Sequence, residues 1–180
     1  MSNSEQQQSV NPIPKGFASI TPHIFIKDSA AAAIEFYKKV FDATEEYRMT
    51  LPEGDKDAGK IVHAVLNIGG SKLMMADEFQ EMCGEHVASG QKIGAPPSIG
   101  GNSVFFQLYF ENVNEVFDKA QQEGAIVTMP LMDVFWGDRY GQFKDPFGHI
   151  WAVATHKKDM SKDELEEAAK EAFKEMGKTV

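Results

Sequence analysis

The residues of this sequence best suited to chemistry fall into three groups. His23 and His63 sit in alternating apolar segments, Ser19 to Lys27 and Lys60 to Ile68, and Met75 and Asp77 lie in a third, Ser71 to Asp77. Side chains alternate across a strand, so if Ile20, Ile24 and Ile26 face a helix, then Thr21, His23, Phe25 and Lys27 face the other way. By the same parity Val62, Ala64, Leu66 and Ile68 leave His63, Val65 and Asn67 on the opposite face. Two histidines with Met75 or Asp77 beside them can ligate a metal, exchange protons or orient a ligand. The alternative is a pair of hydrogen-bonded histidines with no chemistry. Phe105, Gln107 and Tyr109, opposite Ala152 and Ala154, offer the aromatic walls, small-residue floor and hydrogen-bonding group of a small-molecule pocket, unless the aromatics fill that space or a subunit seam. Trp136, Arg139 and Tyr140 can stack on a ligand and hold a carboxylate or phosphonate in two parallel hydrogen bonds. Equally, Arg139 could pair with Asp138 or Asp145 and hold a turn.

These groups need a scaffold, and the sequence describes one twice. After the strand at Ser19–Lys27, Asp28 and Ser29 offer N-cap oxygens to a helix with an apolar stripe of Ala33, Phe36, Tyr37, Val40 and Phe41. Extended segments follow at Glu45–Leu51, Lys60–Ile68 and Ser71–Asp77, the last two joined by Gly69-Gly70, a two-residue hairpin signal. The plan recurs with a strand at Ser103–Phe110, a helix opened by Asn112 or Asn114 and stopped by Gly124, and strands at Ala125–Leu131, Tyr140–Lys144 and His149–Thr155. In Asp145-Pro146-Phe147-Gly148-His149, Pro146 fixes its own φ and pushes Asp145 towards an extended conformation, so the chain reverses there.

The expected organisation is α+β. Residues 1–17 form a disordered leader, 18–83 a first βαβββ module, 84–102 a Gly/Pro/Ser-rich linker, 103–157 a second βαβββ module, and 158–180 an amphipathic helix. Ser161 with Glu164 makes a capping box for that helix, whose stripe of Leu165, Ala168, Ala169, Ala172, Phe173 and Met176 wants a partner surface.

Composition narrows the function classes. With 42% apolar and 25% charged residues the chain is that of a globular protein, and no apolar run approaches the roughly 20 residues that span a bilayer. A net charge of −9 argues against nucleic acid, whose phosphates need clustered Lys and Arg. The expected location is cytoplasmic. Cys83 is the one cysteine and cannot form an intrachain disulfide; as a nucleophile it would have only His86 for a nearby base. No Gly-x-Ser-x-Gly elbow surrounds Ala88-Ser89-Gly90.

A pair of βαβββ modules with Asp-Pro-x-Gly-His before the last strand resembles the vicinal-oxygen-chelate superfamily of glyoxalases, bleomycin-resistance proteins and extradiol dioxygenases. Ile20-Thr21-Pro22, Ile34-Glu35-Phe36-Tyr37, Met74-Met75-Ala76-Asp77-Glu78 and Trp136-Gly137-Asp138-Arg139-Tyr140-Gly141 resemble its PhnB-like, glyoxalase-related branch. The resemblance implies cupped mixed sheets, frequent homodimers with modules paired across subunits, and, in the metalloenzymes, a divalent ion held from the first and last strands of each module. Counted from the helix-opening and turn motifs, those ligand positions fall on Thr21, Phe105 and Ala152, with carboxylates only at Asp77 and Glu78. No metal and no other cofactor is therefore expected.

Three readings follow. The leading one is a homodimeric glyoxalase-like protein that binds a small organic molecule in an apolar cup, with ligand contacts from His23, Phe25, His63, Met75, Phe105, Gln107, Tyr109, Trp136, Arg139 and Tyr140. The second is a metal-dependent lyase or isomerase with relocated ligands His23, His63 and Asp77. The third is stoichiometric drug sequestration by an acidic dimer, which needs no catalytic residue.

Overall fold

The computed structural model describes residues 10–79 and 93–177. Cys83, His86, the Ala88-Ser89-Gly90 segment, most of the expected leader and much of the expected linker lie outside the described residues.

The first module runs β1 (His23–Ile26), α1 (Ala30–Phe41), β2 (Thr44–Thr50), β3 (Ile61–Ile68) and β4 (Ser71–Asp77). A short helix, α2 (Pro96–Ile99), precedes the second module, which runs β5 (Phe106–Tyr109), α3 (Val113–Gln122), β6 (Ile126–Asp133), β7 (Asp138–Lys144) and β8 (Ile150–His156); α4 (Lys162–Met176) closes the chain. Each module builds one four-stranded mixed sheet, in the orders β1-β4-β3-β2 and β5-β8-β7-β6. The first and last strands of each module pair in parallel, and the remaining pairs are antiparallel. The βαβββ plan holds.

Local chemistry accounts for the boundaries. Ser29 accepts from the Ala32 amide and starts α1, and Asn112 caps α3 in the same manner. Gly69 and Gly70 both have positive φ, at 55° and 85°, which a two-residue hairpin of type I′ demands and only glycine adopts at little cost. The capping box of Ser161 and Glu164 is complete. Expected strands shrink where their ends leave the ladder: the regular part of β1 begins at His23, and Ile20, expected to face the helix, is 86% exposed.

One hydrophobic core crosses the module boundary. It joins Ile34, Tyr37 and Phe41 of α1 to Phe117 of α3 and to Phe143 and Trp151 of the second sheet. The ring of Trp151 lies 4.8 Å from Phe41 and 5.2 Å from Tyr37. The helix-facing sides of both sheets are thus buried together, while the opposite face of each sheet is left open. By contrast α4 is mostly exposed, and its Phe173 meets Phe135 edge-on at 5.8 Å.

Candidate functional site

The open face of the first sheet carries the histidines. His23 and His63 approach to 5.8 Å between ring centroids. Phe25 stacks on His23 at 5.3 Å, and Tyr47 lies 6.1 Å from His63. The His23 ring is accessible at the sheet edge, yet partial burial, and secondarily the neighbouring His63, holds its pKa below the usual 6.5.

Met75 does not join them. It pairs with Ile24 and Ala64 on the helix side and is fully buried, whereas Met74 pairs with His23 and so occupies the open face. Asp77 is likewise on the helix side, beside Ile26. Its two carboxylate oxygens accept from the backbone amides of Ala30 and Ile61, each at 2.6 Å, which ties the start of α1 to the start of β3. A carboxylate so engaged, on the other face from the histidines, is not available as their third ligand. Among the described residues no three His, Cys, Asp or Glu side chains gather closely enough to hold a metal.

On the second sheet, Gln107, Ala152 and Gln142 form one row across the open face, and Tyr109, Ala154 and Tyr140 form the next. Ala152 and Ala154 are fully buried beneath Tyr140, with Met129, Val134 and Trp136 packed around. The small-residue floor is therefore partly filled by the protein's own aromatics. Trp136 meets Tyr140 edge-on at 5.4 Å.

Arg139 takes the opposite side of β7. Its guanidinium bonds Asn114 at 2.9 Å and Asp133 at 3.2 Å, so it braces the start of α3 rather than meeting a ligand on the open face, and it pairs with neither Asp138 nor Asp145. Asp145 instead accepts from Tyr37, Trp151 and the amides of Phe147 and His149. His149 donates to the Phe25 carbonyl at 3.0 Å, reaching out of its turn into the first module.

The sequence reading missed one cluster. Asp138, 3% exposed, accepts from Tyr109 (3.2 Å), Trp136 (3.1 Å) and His156 (2.7 Å). The other ring nitrogen of His156 faces Asp159 at 3.1 Å. These hydrogen bonds, Asp138 first and Asp159 next, hold His156 above its usual pKa, and burial followed by the Asp138 bond raises Tyr109. The spacing of two between Trp136 and Asp138 was a possible signal, but pairing with His156 needs the β7–β8 register.

Between the modules lies a groove of about 380 Å³, lined by Ile20, Thr21, Phe105, Phe106, Gln107 and Trp151 among others. Phe105, 53% exposed, forms part of its wall. A larger depression of about 710 Å³ at the start of α1 is lined by charged residues. Within its lining Lys60 pairs with Asp57 and Ser98 donates to Glu78, both at 2.6 Å. We therefore place the candidate site in the groove and on the two open faces.

A paired βαβββ fold with this last-strand turn defines a class, and comparison of the sequence agrees. The model of the Glyoxalase/Bleomycin resistance protein/Dioxygenase superfamily matches residues 19–153, so the chain belongs to that superfamily. An uncharacterized protein of Mycobacterium bovis, Mb0911c, is 39% identical over 150 residues, covering 83% of this chain and 91% of that one. Among solved structures, protein PA1353 from Pseudomonas aeruginosa superimposes with a TM-score of 0.59 at 24% identity, over 77% of this chain and 98% of that chain. A Bacillus cereus PhnB protein, described as a putative 3-demethylubiquinone-9 3-methyltransferase, gives 0.56 at 21%, over 77% and 99%. At these identities the structural likeness speaks for the fold. The residues standing where the superfamily's divalent site is expected do not fit one: Thr21 and Phe105 line the apolar groove, Ala152 is buried, and Asp77 is bound by amides.

Proposed function

We propose that this protein binds a small, largely apolar organic molecule in the groove between its modules, as a homodimer and without the superfamily's metal centre. The groove carries the reading. Its volume of about 380 Å³ falls in the range of roughly 300–1,000 Å³ usual for small-molecule sites, and apolar walls with a few orienting polar groups are the usual lining. Gln107 supplies an amide and Thr21 a hydroxyl; Phe105, Phe106 and Trp151 supply the walls. His23, Phe25 and His63, Tyr109, Trp136 and Tyr140 flank it on the open faces. Those faces also expose large apolar side chains, Tyr47 and Met49 on the first sheet and Tyr109 on the second, and exposed apolar surface favours a partner surface. A second copy of the chain is the partner the reading names.

The test is a thermal-shift screen with glutathione adducts, phosphonates, aromatic diols and glycopeptide antibiotics, run beside sedimentation analysis. A ligand raises the melting temperature through mass action, and Gln107→Ala and Phe105→Ala reduce that rise. Silence across the panel, or shifts that both variants leave intact, would sink the groove as the site; a monomer at micromolar concentration would sink the dimer.

A further inference from the structure

Four side chains, one from each strand, stand in two adjacent rows on the open face of the first sheet. Met49 of β2 stands opposite His63 of β3. Val65, two residues on, stands opposite Met74 of β4, which places Met74 diagonal to His63. Met74 in turn stands opposite His23 of β1. Each imidazole thus has a methionine as cross-strand neighbour, Met74 for His23 and Met49 for His63, and the two imidazole centroids are 5.8 Å apart. With metal–nitrogen bonds of about 2 Å, two imidazoles on one ion have centroids at most roughly 6.5 Å apart, so the pair is already within sharing distance.

The four residues include no carboxylate. Their donors are imidazole nitrogen and thioether sulfur, which suit soft ions, whereas calcium, magnesium and manganese need oxygen. The neutral imidazole is the ligating form. We propose that His23, His63, Met74 and Met49 form a soft-metal site that takes monovalent copper. None of these residues stands at a position where the superfamily resemblance puts its divalent ion. The site uses a face next to the groove but does not depend on the groove's being occupied.

The test uses the full-length chain in a Cys83→Ser background, since a thiolate binds soft metals by itself. The protein is titrated anaerobically with copper(I) against a chromogenic copper(I) chelator, and zinc binding is measured in parallel. The expected result is a single copper equivalent per chain withheld from the chelator. His63→Ala and Met74→Leu each weaken that binding by at least roughly tenfold, while Met160→Leu has no effect and Met74→Leu leaves zinc binding unchanged. Leucine conserves the volume of methionine, so the Met74 variant separates lost ligation from lost fold, and circular dichroism and melting temperature check each protein. The proposal is overturned if no equivalent is withheld, if binding survives Met49→Leu and Met74→Leu together, or if it survives His23→Ala with His63→Ala. Copper binding with a silent organic panel, or the reverse, tells this site's failure from the groove's.

Discussion

The hydroxyl of Tyr37, on the helix of the first module, donates to the Asp145 carboxylate at 2.7 Å, in the turn that opens the last strand of the second. The same oxygen accepts from Trp151 at 2.8 Å. Asp145 is 2% exposed, so the turn that marks the family also anchors one module to the other. Burial, and next the adjacent carboxylate, raises the Tyr37 pKa well above 10.0, which keeps the hydroxyl a donor.

Removing either partner should therefore weaken the whole fold. Tyr37→Phe is expected to cost about 1–2 kcal/mol for the lost hydrogen bond, and Asp145→Ala roughly 3–5 kcal/mol because buried donors are left unpaired. Urea unfolding measures both. A cost for Asp145→Ala no larger than that for Tyr37→Phe would contradict the anchoring role.

Gly141 makes a second, steric prediction. A Cβ there would stand 2.8 Å from Phe117 Cε2 and 3.2 Å from the Cα of Leu131. The aromatic ring can shift, but the backbone of β6 has less room to do so. Gly141→Ala should destabilise by about 1–3 kcal/mol, read from the denaturation midpoint at constant m-value. Stability equal to the parent would show that β6 moves freely away from β7.

The third prediction concerns pH and His156. Its ring nitrogens face Asp138 and Asp159, so protonation satisfies both carboxylates. A histidine with a raised folded pKa contributes stability that is fully present below its unfolded value near 6.5 and is lost as pH rises through the folded value. The difference in melting temperature between the parent and His156→Gln should therefore shrink as pH increases across that window. An NMR titration of His156 with a midpoint at or below 6.5 would refute it.

His23 should behave in the opposite sense. Its pKa is lowered, by partial burial first and by His63 second, so the associated stability is present above the unfolded value and declines as pH falls from there through the folded value. His63→Phe removes only the charge contribution. The NMR midpoint of His23 should rise in that variant yet stay below 6.5; a return to 6.5 would mean that burial plays no part.

Much of this architecture was legible because its signals are local. Helix stripes of period 3.6 and strands of period 2 need no knowledge of partners; Ser29, Asn112, Gly69-Gly70 and the Ser161 capping box acted where the sequence placed them. Strand parity also put His23 and His63 on one face. The sequence did not separate Met75 from Met74, because Leu73-Met74-Met75-Ala76 is apolar throughout and offers no alternation to read. It did not show what Arg139 meets, because the residues that hold it, Asn114 and Asp133, lie on other elements.

By itself, then, the sequence determined the repeated βαβββ order, the caps and turns that bound each element, and the family to which the chain belongs, since all of these depend on contacts between near neighbours or on linear motifs. Only the tertiary structure decided which groups meet. It brought Tyr37 to Asp145 across 108 residues, engaged Asp77 with two backbone amides, and set Met74 rather than Met75 beside His23. Strand register and helix packing make those choices, and a one-residue change of register sends every side chain of a strand to the other face.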